Sequence, residues 1–393
     1  MTSMRRQIAD AVSKPAKMSR EELVAEHKGT QMMYRIDVAG EDLRGLDLSH
    51  AMWEECSFAG ADLRGASIAS SIFNTCSFAG AKLDGADATS SIFNTPDFTG
   101  TRFGKARLPS ANVQNCTIRQ ADLGDVFMDG AIFDRMDFGG TRFPRVLKRC
   151  AIVNSLLVET RLSGCRLERC AIMKSDTRRI DLTGAELLQC LLVKADLTAA
   201  ALQGVKLNRC NIVDAVLPDR NFDGHDFTMT QFIKAKMPRT TFRNAVLKNC
   251  NFQESDLNHT DFSGAQIQNG LFNAANLTGA RLVDCRIPNG SFAAANLAQA
   301  DLHGAELPHA VFTKAQLVAA SLRNAALSYA IFMHADLTDA DFGGATVTQA
   351  KLHRAIEDGT NWRGANRSDA RGDDEGLKRA EDWPTARKAG APA

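Results

Sequence analysis

Two consecutive blocks of twenty residues show how the chain is built: FNAANLTGARLVDCRIPNGS spans 272–291 and FAAANLAQADLHGAELPHAV spans 292–311. A large apolar residue stands at every fifth position of each block, and the first of these is phenylalanine. Each block therefore carries four apolar side chains that point inward in four directions, which predicts one coil of a four-sided solenoid. The phenylalanine recurs on successive coils at Phe232, Phe252, Phe272, Phe292, Phe312 and Phe332.

This five-residue register covers most of the chain. Its apolar centres run from Leu43 to Phe143 and, after a four-residue step across Pro144, from Leu147 to Trp362. Of these 65 centres, 62 are Leu, Ile, Val, Met, Phe or Trp. The slip near 144–147 removes one residue from one coil, so we expect a kink or local irregularity there.

Two motifs show the repeat at its clearest, Ala-Asp-Leu-Arg-Gly at 61–65 and Ala-Asn-Leu-Thr-Gly at 275–279. The pattern resembles that of the pentapeptide-repeat family, whose motif is Ala-(Asp/Asn)-Leu-X-X, and the resemblance covers about 41–364. It implies an all-β protein, a right-handed quadrilateral parallel β-helix. About 16 coils at about 4.8 Å each would make a rod roughly 75 Å long.

Segments without this register flank the body. Ser19 and Glu22 fit a capping box, which predicts a short helix over about 20–33 that caps the first coil. We therefore expect an N-terminal segment with a capping helix (1–40), the β-helix (41–364) and a flexible polar C-terminal tail (365–393). The apolar residues of the helix that would cover the first coil are Leu23, Val24, Met32 and Met33.

The charge balance limits the kinds of partner. Lys and Arg total 47 and Asp and Glu total 46, so no global field attracts nucleic acid or an anionic membrane. No apolar run approaches the length of a spanning helix, and the N-terminus lacks the apolar core of a signal peptide. We expect a cytoplasmic protein with no membrane insertion and no direct binding of nucleic acid.

The ten cysteines all stand two residues before a centre, where alanine is usual. Because free cysteine packs as a small hydrophobe, this position predicts buried, reduced thiols. The alternative is a thiol ladder that oxidises or takes up zinc. No histidine accompanies those thiols, so packing is the favoured interpretation. The ladder would consist of Cys150, Cys170, Cys190 and Cys210.

The sequence predicts no catalytic, cofactor-binding or metal site, and therefore no enzyme. Aspartates stand immediately before centres as part of the repeat, which is typical of turn residues and not of an acid/base pair. His225 has no nucleophile or metal partner that the register implies. Five other histidines occupy outward turn positions on separate coils: His259, His303, His309, His334 and His353.

The surface charge is unevenly distributed along the chain. Residues 41–141 carry fourteen acidic and eight basic residues, whereas 142–179 carry three acidic and ten basic residues. Six basic residues at outward corners form a candidate protein-interaction strip, and the other interpretation is an ordinary solvated face. They are Arg149, Arg169 and Arg209 in one register and Lys174, Lys194 and Lys234 in the next.

Two classes of function remain. The first is a non-catalytic scaffold or adaptor for protein partners. The N-terminal helix that runs into Glu-Asp-Leu-Arg-Gly-Leu-Asp-Leu at 41–48 is similar to pentapeptide-repeat proteins that accompany bacterial contact-dependent secretion machines, which implies an adaptor or accessory role with secretion-system components. The alternative, also implied by the family, is a DNA mimic that binds a topoisomerase and protects or inhibits gyrase. A net charge of −1 over 41–364 counts against it. A homodimer through a rod end stays open.

Overall fold

The computed structural model describes residues 15–29 and 31–383, and the chain divides into two compact units, 1–206 and 207–393. Each unit is a parallel β-solenoid whose coils place one apolar centre on each of four sides. The fold predicted from the five-residue register is confirmed.

The first unit contains short parallel strands. Their residues pair with residues of the neighbouring coil, as Phe73 does with Phe93, twenty positions further along. The longer sheet of this unit has the order β2-β4-β5-β6-β7-β8-β10-β12-β14, the shorter has β9-β11-β13, and β1 pairs with β3. The strands are β1 (Ala16–Lys17), β2 (Met32–Tyr34), β3 (Ile36–Asp37), β4 (Met52–Glu54), β5 (Ile72–Asn74), β6 (Ile92–Asn94), β7 (Asn112–Gln114), β8 (Ile132–Asp134), β9 (Val146–Lys148), β10 (Ala151–Val153), β11 (Arg166–Glu168), β12 (Ala171–Met173), β13 (Glu186–Leu188) and β14 (Leu191–Val193).

The middle residue of each three-residue strand in the two sheets points inward, because successive side chains of a strand alternate between its two faces. Trp53, Phe73 and Phe93 are such middle residues, and their rings stack at centroid distances of 6.0 and 4.9 Å. The flanking residues of the same strands face outward. A strand of three residues therefore supplies one core side chain and two surface side chains.

The four-residue step lies in the coil that contains Pro144. Ile132 in β8 pairs with Ala151 in β10, so the two residues are nineteen positions apart instead of twenty. Phe143, Pro144 and Leu147 are all buried, and Arg145 between them is exposed. In other coils a small buried residue stands two positions before most centres. Here Arg145 holds that position and is exposed, and Pro144 is the buried residue instead. One side of this coil is one residue shorter.

The second unit keeps the same register with less extended pairing. β15 (Lys206–Asn208) begins at the border of the units, and β16 (Asn211–Val213) follows. Later coils pair through single bridges twenty residues apart, for example Asp256 with Asn276. The phenylalanine column lies in the core of this unit. Five successive pairs, from Phe232–Phe252 to Phe312–Phe332, have ring centroids 4.8–5.3 Å apart and rings within 8° of parallel.

The N-terminal helix α1 (Arg20–Gly29) is shorter than the sequence predicts. The Ser19 amide donates to Glu22 Oε2 at 2.8 Å and the Glu22 amide donates to Ser19 Oγ at 3.3 Å, so the capping box is present. Leu23 is fully buried. The prediction that the helix continues to 33 is wrong, because the chain extends as β2 and pairs with β4. Met33 takes the inward position of β2, and Met32 faces outward and is 60% exposed.

The segment 365–383 makes specific contacts with the second unit where the sequence predicts a flexible polar tail. A 3₁₀ turn (Arg367–Asp369) leads to helix α2 (Glu375–Asp382), whose N-cap Asp374 accepts a hydrogen bond from the Leu377 amide. Residues 384–393 lie outside the described part. Within the described ranges, every helix is too short or too polar to cross a membrane.

Candidate functional site

The six basic residues of the candidate strip all lie at exposed corners of the solenoid. Each has a positive φ between 50° and 58°, the left-handed conformation that turns the chain from one side of a coil to the next. Four of them belong to the first unit: Arg149, Arg169, Lys174 and Lys194. Two belong to the second unit: Arg209 and Lys234.

Three of these residues already have partners on the surface. The Arg149 guanidinium donates two hydrogen bonds to the Asp129 carboxylate, at 3.0 and 2.7 Å, and this interaction raises the pKa of Arg149. Arg169 Nε donates to Gln189 Oε1 at 3.0 Å. Lys234 Nζ lies 3.2 Å from Glu254 Oε2. The charges of Arg149 and Lys234 are therefore largely neutralised locally.

The other three residues have no such compensation. No Asp or Glu carboxylate among residues 15–29 and 31–383 lies within 4.0 Å of the charged groups of Lys174, Lys194 or Arg209. Lys174 and Lys194 occupy the same corner on successive coils of the first unit, two residues after the centres Ile172 and Leu192. They form a pair of uncompensated positive charges, which we call the lysine corner.

The lysine corner borders an apolar surface that the sequence analysis missed. On β10, β12 and β14 both outward residues are apolar, whereas β5, β6 and β7 carry asparagine or glutamine at the second outward position. Ile132 at the start of β8 is 45% exposed and continues the apolar surface. We call this surface the apolar face; its half-buried members are Ala151, Val153, Ala171, Met173, Leu191 and Val193.

A signal for the apolar face was present in the sequence. The tripeptides Ala-Ile-Val at 151–153, Ala-Ile-Met at 171–173 and Leu-Leu-Val at 191–193 have three apolar residues each, although the core needs only the middle one. In β5–β7, by contrast, side-chain amides form a hydrogen-bonded ladder. In that ladder Asn94 Nδ2 donates to Asn74 Oδ1 at 2.7 Å.

The cysteines are free and buried, all ten of them. Thiols of the proposed ladder donate to carbonyl oxygens of the preceding coil: Cys150 Sγ lies 3.0 Å from Met128 O and Cys190 Sγ lies 3.3 Å from Leu167 O. Burial raises the pKa of Cys250 and Cys285 to about 12, which keeps these thiols protonated at neutral pH. This arrangement fits the packing interpretation.

The described residues contain one group whose ligand atoms converge as a metal requires, and no cysteine belongs to it. The group consists of His334, His353 and Glu381, whose ligand atoms lie within 4.8 Å of one another. His334 and His353 were assigned to outward positions on separate coils. That assignment is wrong for His353, which is only 3% exposed, and incomplete for both, because adjacent coils bring their rings to 5.7 Å between centroids.

Comparisons with known proteins identify the repeat. A family model described as a pentapeptide repeat region matches residues 225–302. A second model, pentapeptide repeats in eight copies, matches 42–78, 56–95, 97–135, 178–212 and 315–354. Together these matches span more than half of the chain. No curated protein sequence matches it.

Several solved structures share the fold at low identity. HetL, a pentapeptide repeat protein involved in heterocyst differentiation regulation from the cyanobacterium Nostoc, is 20% identical, with 65% of this chain and 89% of HetL covered and a TM-score of 0.24. QnrB1, a plasmid-mediated fluoroquinolone resistance protein, is 16% identical over 57% of this chain and 97% of its own, with a TM-score of 0.35. A pentapeptide repeat protein from the Arabidopsis thaliana thylakoid lumen is 27% identical over 26% of this chain and 63% of its own, with a TM-score of 0.18.

At these TM-scores the structural likenesses carry no argument about function. The family assignment depends on the two repeat models together with the five-residue register and the coils that it forms. The chain belongs to the pentapeptide-repeat family.

Proposed function

We propose that this chain is a non-catalytic protein-binding scaffold whose first unit binds a partner through the apolar face and the lysine corner. The observation that carries the proposal is their adjacency. Three successive coils present apolar residues at both outward strand positions, and Lys174 and Lys194 follow directly at the corner of the same side. An apolar centre with a charged rim is the usual composition of a protein interface.

The chemistry of this surface defines the partner. Six small or medium apolar side chains on a flat parallel sheet suit a partner surface that is itself apolar and flat. Two uncompensated ammonium groups at its edge favour carboxylates at the border of the partner's contact. We therefore propose a protein partner with an apolar patch that is flanked by Asp or Glu on one side.

The six basic residues then differ in importance. Lys174 and Lys194 border the apolar face and have no local acidic partner, so they contribute most. Arg149 is held by Asp129 and Lys234 by Glu254, so a partner would have to displace those carboxylates first. Arg169 and Arg209 should contribute an intermediate amount to binding. Arg169 has only a neutral hydrogen-bond acceptor, Gln189, and Arg209 does not border the apolar face.

Finding the partner requires cross-linking at the proposed surface. A photo-reactive residue in place of Met173 in the full chain, irradiated in the source cells, is expected to capture the partner for identification by mass spectrometry. Thr313 is the matched control, since it also follows an apolar centre directly, in the second unit. Proteins captured equally at both positions are background.

The captured protein, once purified, allows a direct test of the apolar face. Leu191→Glu is expected to weaken binding at least about 30-fold, because loss of an apolar anchor in an interface costs about 2 kcal/mol or more. Leu271→Glu is the control, because Leu271 also stands directly before a centre, in the second unit, and is 38% exposed. Equal affinity for both variants would exclude this face as the contact.

The lysine corner is tested by salt dependence. Lys174→Glu with Lys194→Glu is expected to reduce affinity and to flatten its decline with added salt, because charges at the rim of an interface steer association. Lys314→Glu is the control, since Lys314 lies at a corner with the same left-handed backbone, φ 59°. Unchanged affinity and an unchanged salt slope would show that the corner is ordinary solvated surface.

Two narrower functions can be separated by the same reagents. An accessory role in a bacterial secretion machine predicts that the cross-linked partner is a component of that machine. A DNA-mimicking topoisomerase binder predicts that the purified chain changes gyrase supercoiling, and the net charge of −1 over 41–364 makes this the weaker proposal. No change of supercoiling at micromolar protein would remove it.

A further inference from the structure

Two histidines on adjacent coils face one glutamate from helix α2 in the second unit. His334 is a corner residue with a left-handed backbone, φ 58°. His353 follows the centre Leu352 on the next coil. Glu381 lies in the last turn of α2 and extends between the two rings. The three residues belong to two segments that the sequence separates by 28 positions or more.

The distances between their polar atoms are those of a metal's ligand shell. His334 Nε2 lies 3.0 Å from Glu381 Oε1, and His353 Nε2 lies 3.3 Å from Glu381 Oε2. Zinc bonds of about 2.0–2.2 Å at tetrahedral angles separate neighbouring ligand atoms by about 3.3 Å. These two distances are close to that spacing, and one ligand atom from each of the three residues lies within 4.8 Å of the others.

The residue types also match. Two imidazoles and one carboxylate are ligands that borderline divalent ions such as Zn²⁺ prefer, whereas Mg²⁺ and Ca²⁺ prefer sets made only of oxygen. The side chains of His334 and Glu381 are 31% and 29% exposed. Solvent therefore reaches the cluster and can supply a fourth ligand.

One hydrogen bond of His353 must change before Nε2 can coordinate an ion. The Asp374 amide donates to His353 Nδ1 at 3.0 Å, so the ring proton is on Nε2. Coordination through Nε2 requires the proton on Nδ1 instead. The Asp373 carboxylate lies 3.7 Å from that Nδ1 and is placed to accept it after a small shift of the ring. A carboxylate that accepts the second ring proton of a ligating histidine is common at zinc sites.

The position of Arg354 decides which oxygen of the Glu381 carboxylate can bind an ion. Arg354 Nε lies 2.8 Å from Glu381 Oε2, and the same guanidinium also contacts Asp382. Oε1 lies 3.0 Å from His334 Nε2. The ion therefore binds Oε1, while Arg354 continues to neutralise Oε2.

Helix α2 needs this additional attachment. None of its eight residues is buried, and ion pairs from Arg354 to Glu381 and Asp382 link it to the coils. We propose that His334, His353 and Glu381 form a zinc site that fastens α2 to the last coils of the second unit.

Zinc binding to the full-length chain tests the proposal. The purified protein, kept reduced with a phosphine, is titrated with Zn²⁺ against a chromogenic chelator at neutral pH. We expect one zinc per chain, with excess Mg²⁺ unable to compete. His334→Gln and Glu381→Gln each remove one ligand at a position that solvent reaches. Each is expected to weaken binding by more than about 10-fold, the lower limit of what loss of an outer hydrogen-bond partner costs.

His309→Gln is the matched control for these variants. His309 occupies a corner with nearly the same φ, 60°, stacks on Tyr329 at 5.0 Å, and forms no ion pair with an acidic residue in the described part of the chain. It should leave zinc affinity unchanged. Absence of a one-to-one site, or a site that neither His334→Gln nor Glu381→Gln weakens, would overturn the proposal.

Proteolysis gives a second measurement that reports on α2 itself. Trypsin cleaves after Lys378 and Arg379, both in α2, and bound zinc should slow this cleavage in the unmodified chain. Zinc should have no such effect in Glu381→Gln, in which α2 supplies no ligand. Equal protection by zinc in both chains would show that the ion binds elsewhere.

Discussion

The two units share one register but differ in how uniformly they follow it. In the second unit the centres from Phe222 to Phe342 are essentially unexposed, and the phenylalanine column continues without interruption from Phe232 to Phe332. In the first unit the equivalent column of Phe73 and Phe93 is interrupted by Val113 before it resumes at Phe133. A small apolar void lies beside Val113 and is lined also by Ile118 and Phe133.

The surfaces differ in the same way. The first unit contains the nineteen-residue coil, the acidic and basic segments, the apolar face and the lysine corner. The second unit has single bridges and a regular core, and its distinctive polar cluster is at the C-terminal helix. A uniform core of the repeat stabilises the fold. Where the sequence of one coil departs from the repeat, that coil presents a surface that its neighbours lack.

The largest expected effect is a charge in the regular core. Phe272→Asp removes a ring stacked 5.0 Å from Phe252 and 4.9 Å from Phe292 and places a carboxylate in the apolar interior. We expect a loss of more than about 4 kcal/mol and unfolding of the neighbouring coils. Thermal unfolding followed by circular dichroism measures it.

Arg281→Asp is the surface control for that variant. Arg281 is exposed, and its Nε lies 3.9 Å from Asp261 Oδ2, a weak ion pair. The substitution also places an aspartate beside those on the neighbouring coils. The free energy of unfolding should still fall by about 1 kcal/mol or less. Similar melting shifts for Phe272→Asp and Arg281→Asp would contradict the inward direction of the centres.

The interrupted phenylalanine column can be tested by removing a ring in one unit and adding one in the other. Phe292→Val creates in the second unit the gap that Val113 leaves in the first, and should destabilise the protein by about 2–4 kcal/mol. Val113→Phe fills the gap between Phe93 and Phe133 and should stabilise it by about 1 kcal/mol. Denaturant unfolding gives both values. A destabilising Val113→Phe would mean that the surrounding coils have already closed around the smaller residue.

The rates at which the cysteines react with a maleimide allow a comparison of the two units. All ten are buried, so a maleimide should label almost none of them in the native protein and nearly all after denaturation. Under mild denaturant we expect Cys116, which is 6% exposed in the first unit near the void, to react before the fully buried Cys250 and Cys285. Mass spectrometry of tryptic peptides resolves the order. Prompt native labelling of several thiols would contradict the packing interpretation.

The smallest expected effect concerns the ion pair between Lys234 and Glu254 in the second unit. A hydrogen bond from Lys234 is the main cause that lowers the pKa of Glu254. A lowered carboxyl pKa stabilises the fold above the unfolded-state pKa, and this contribution disappears as the pH falls through the lowered value. Lys234→Ala should raise the pKa of Glu254 in an NMR titration. Lys174→Ala in the first unit should leave it unchanged, and the same pKa in both variants would show that the pair does not form in solution.

Most of the fold was predictable because the period is long and strict. Every centre that the register assigns between Phe222 and Leu352 is buried, since one five-residue rule fixes one inward side chain at a time. The capping box of α1 was also predictable, because Ser19 and Glu22 interact within three residues. Local patterns therefore sufficed for both.

The features that sequence reasoning missed depend on contacts between distant segments. Helix α1 ends at Gly29 because the edge of β4 pairs with Met32–Tyr34, which helix propensity does not reveal. Helix α2 is held by Arg354 and two histidines that precede it by many residues. The apolar face was missed for a different reason: the five-residue register depends only on apolar centres and is blind to whether their outward neighbours are apolar.

The nineteen-residue coil at Pro144 has a consequence for gene duplication and for engineering. Before it, residues that share a side of the solenoid differ by multiples of twenty, as Phe73, Phe93 and Phe133 do; from β8 to β10 the step is nineteen, as between Phe133 and Ile152. Whole twenty-residue coils inserted or removed on either side leave every later side chain on its original side. A segment exchanged across Pro144 without the missing residue would move each outward side chain one place along its coil. A recombination that keeps the lysine corner beside the apolar face must therefore use whole twenty-residue coils on either side of Pro144, or carry the nineteen-residue coil with it intact.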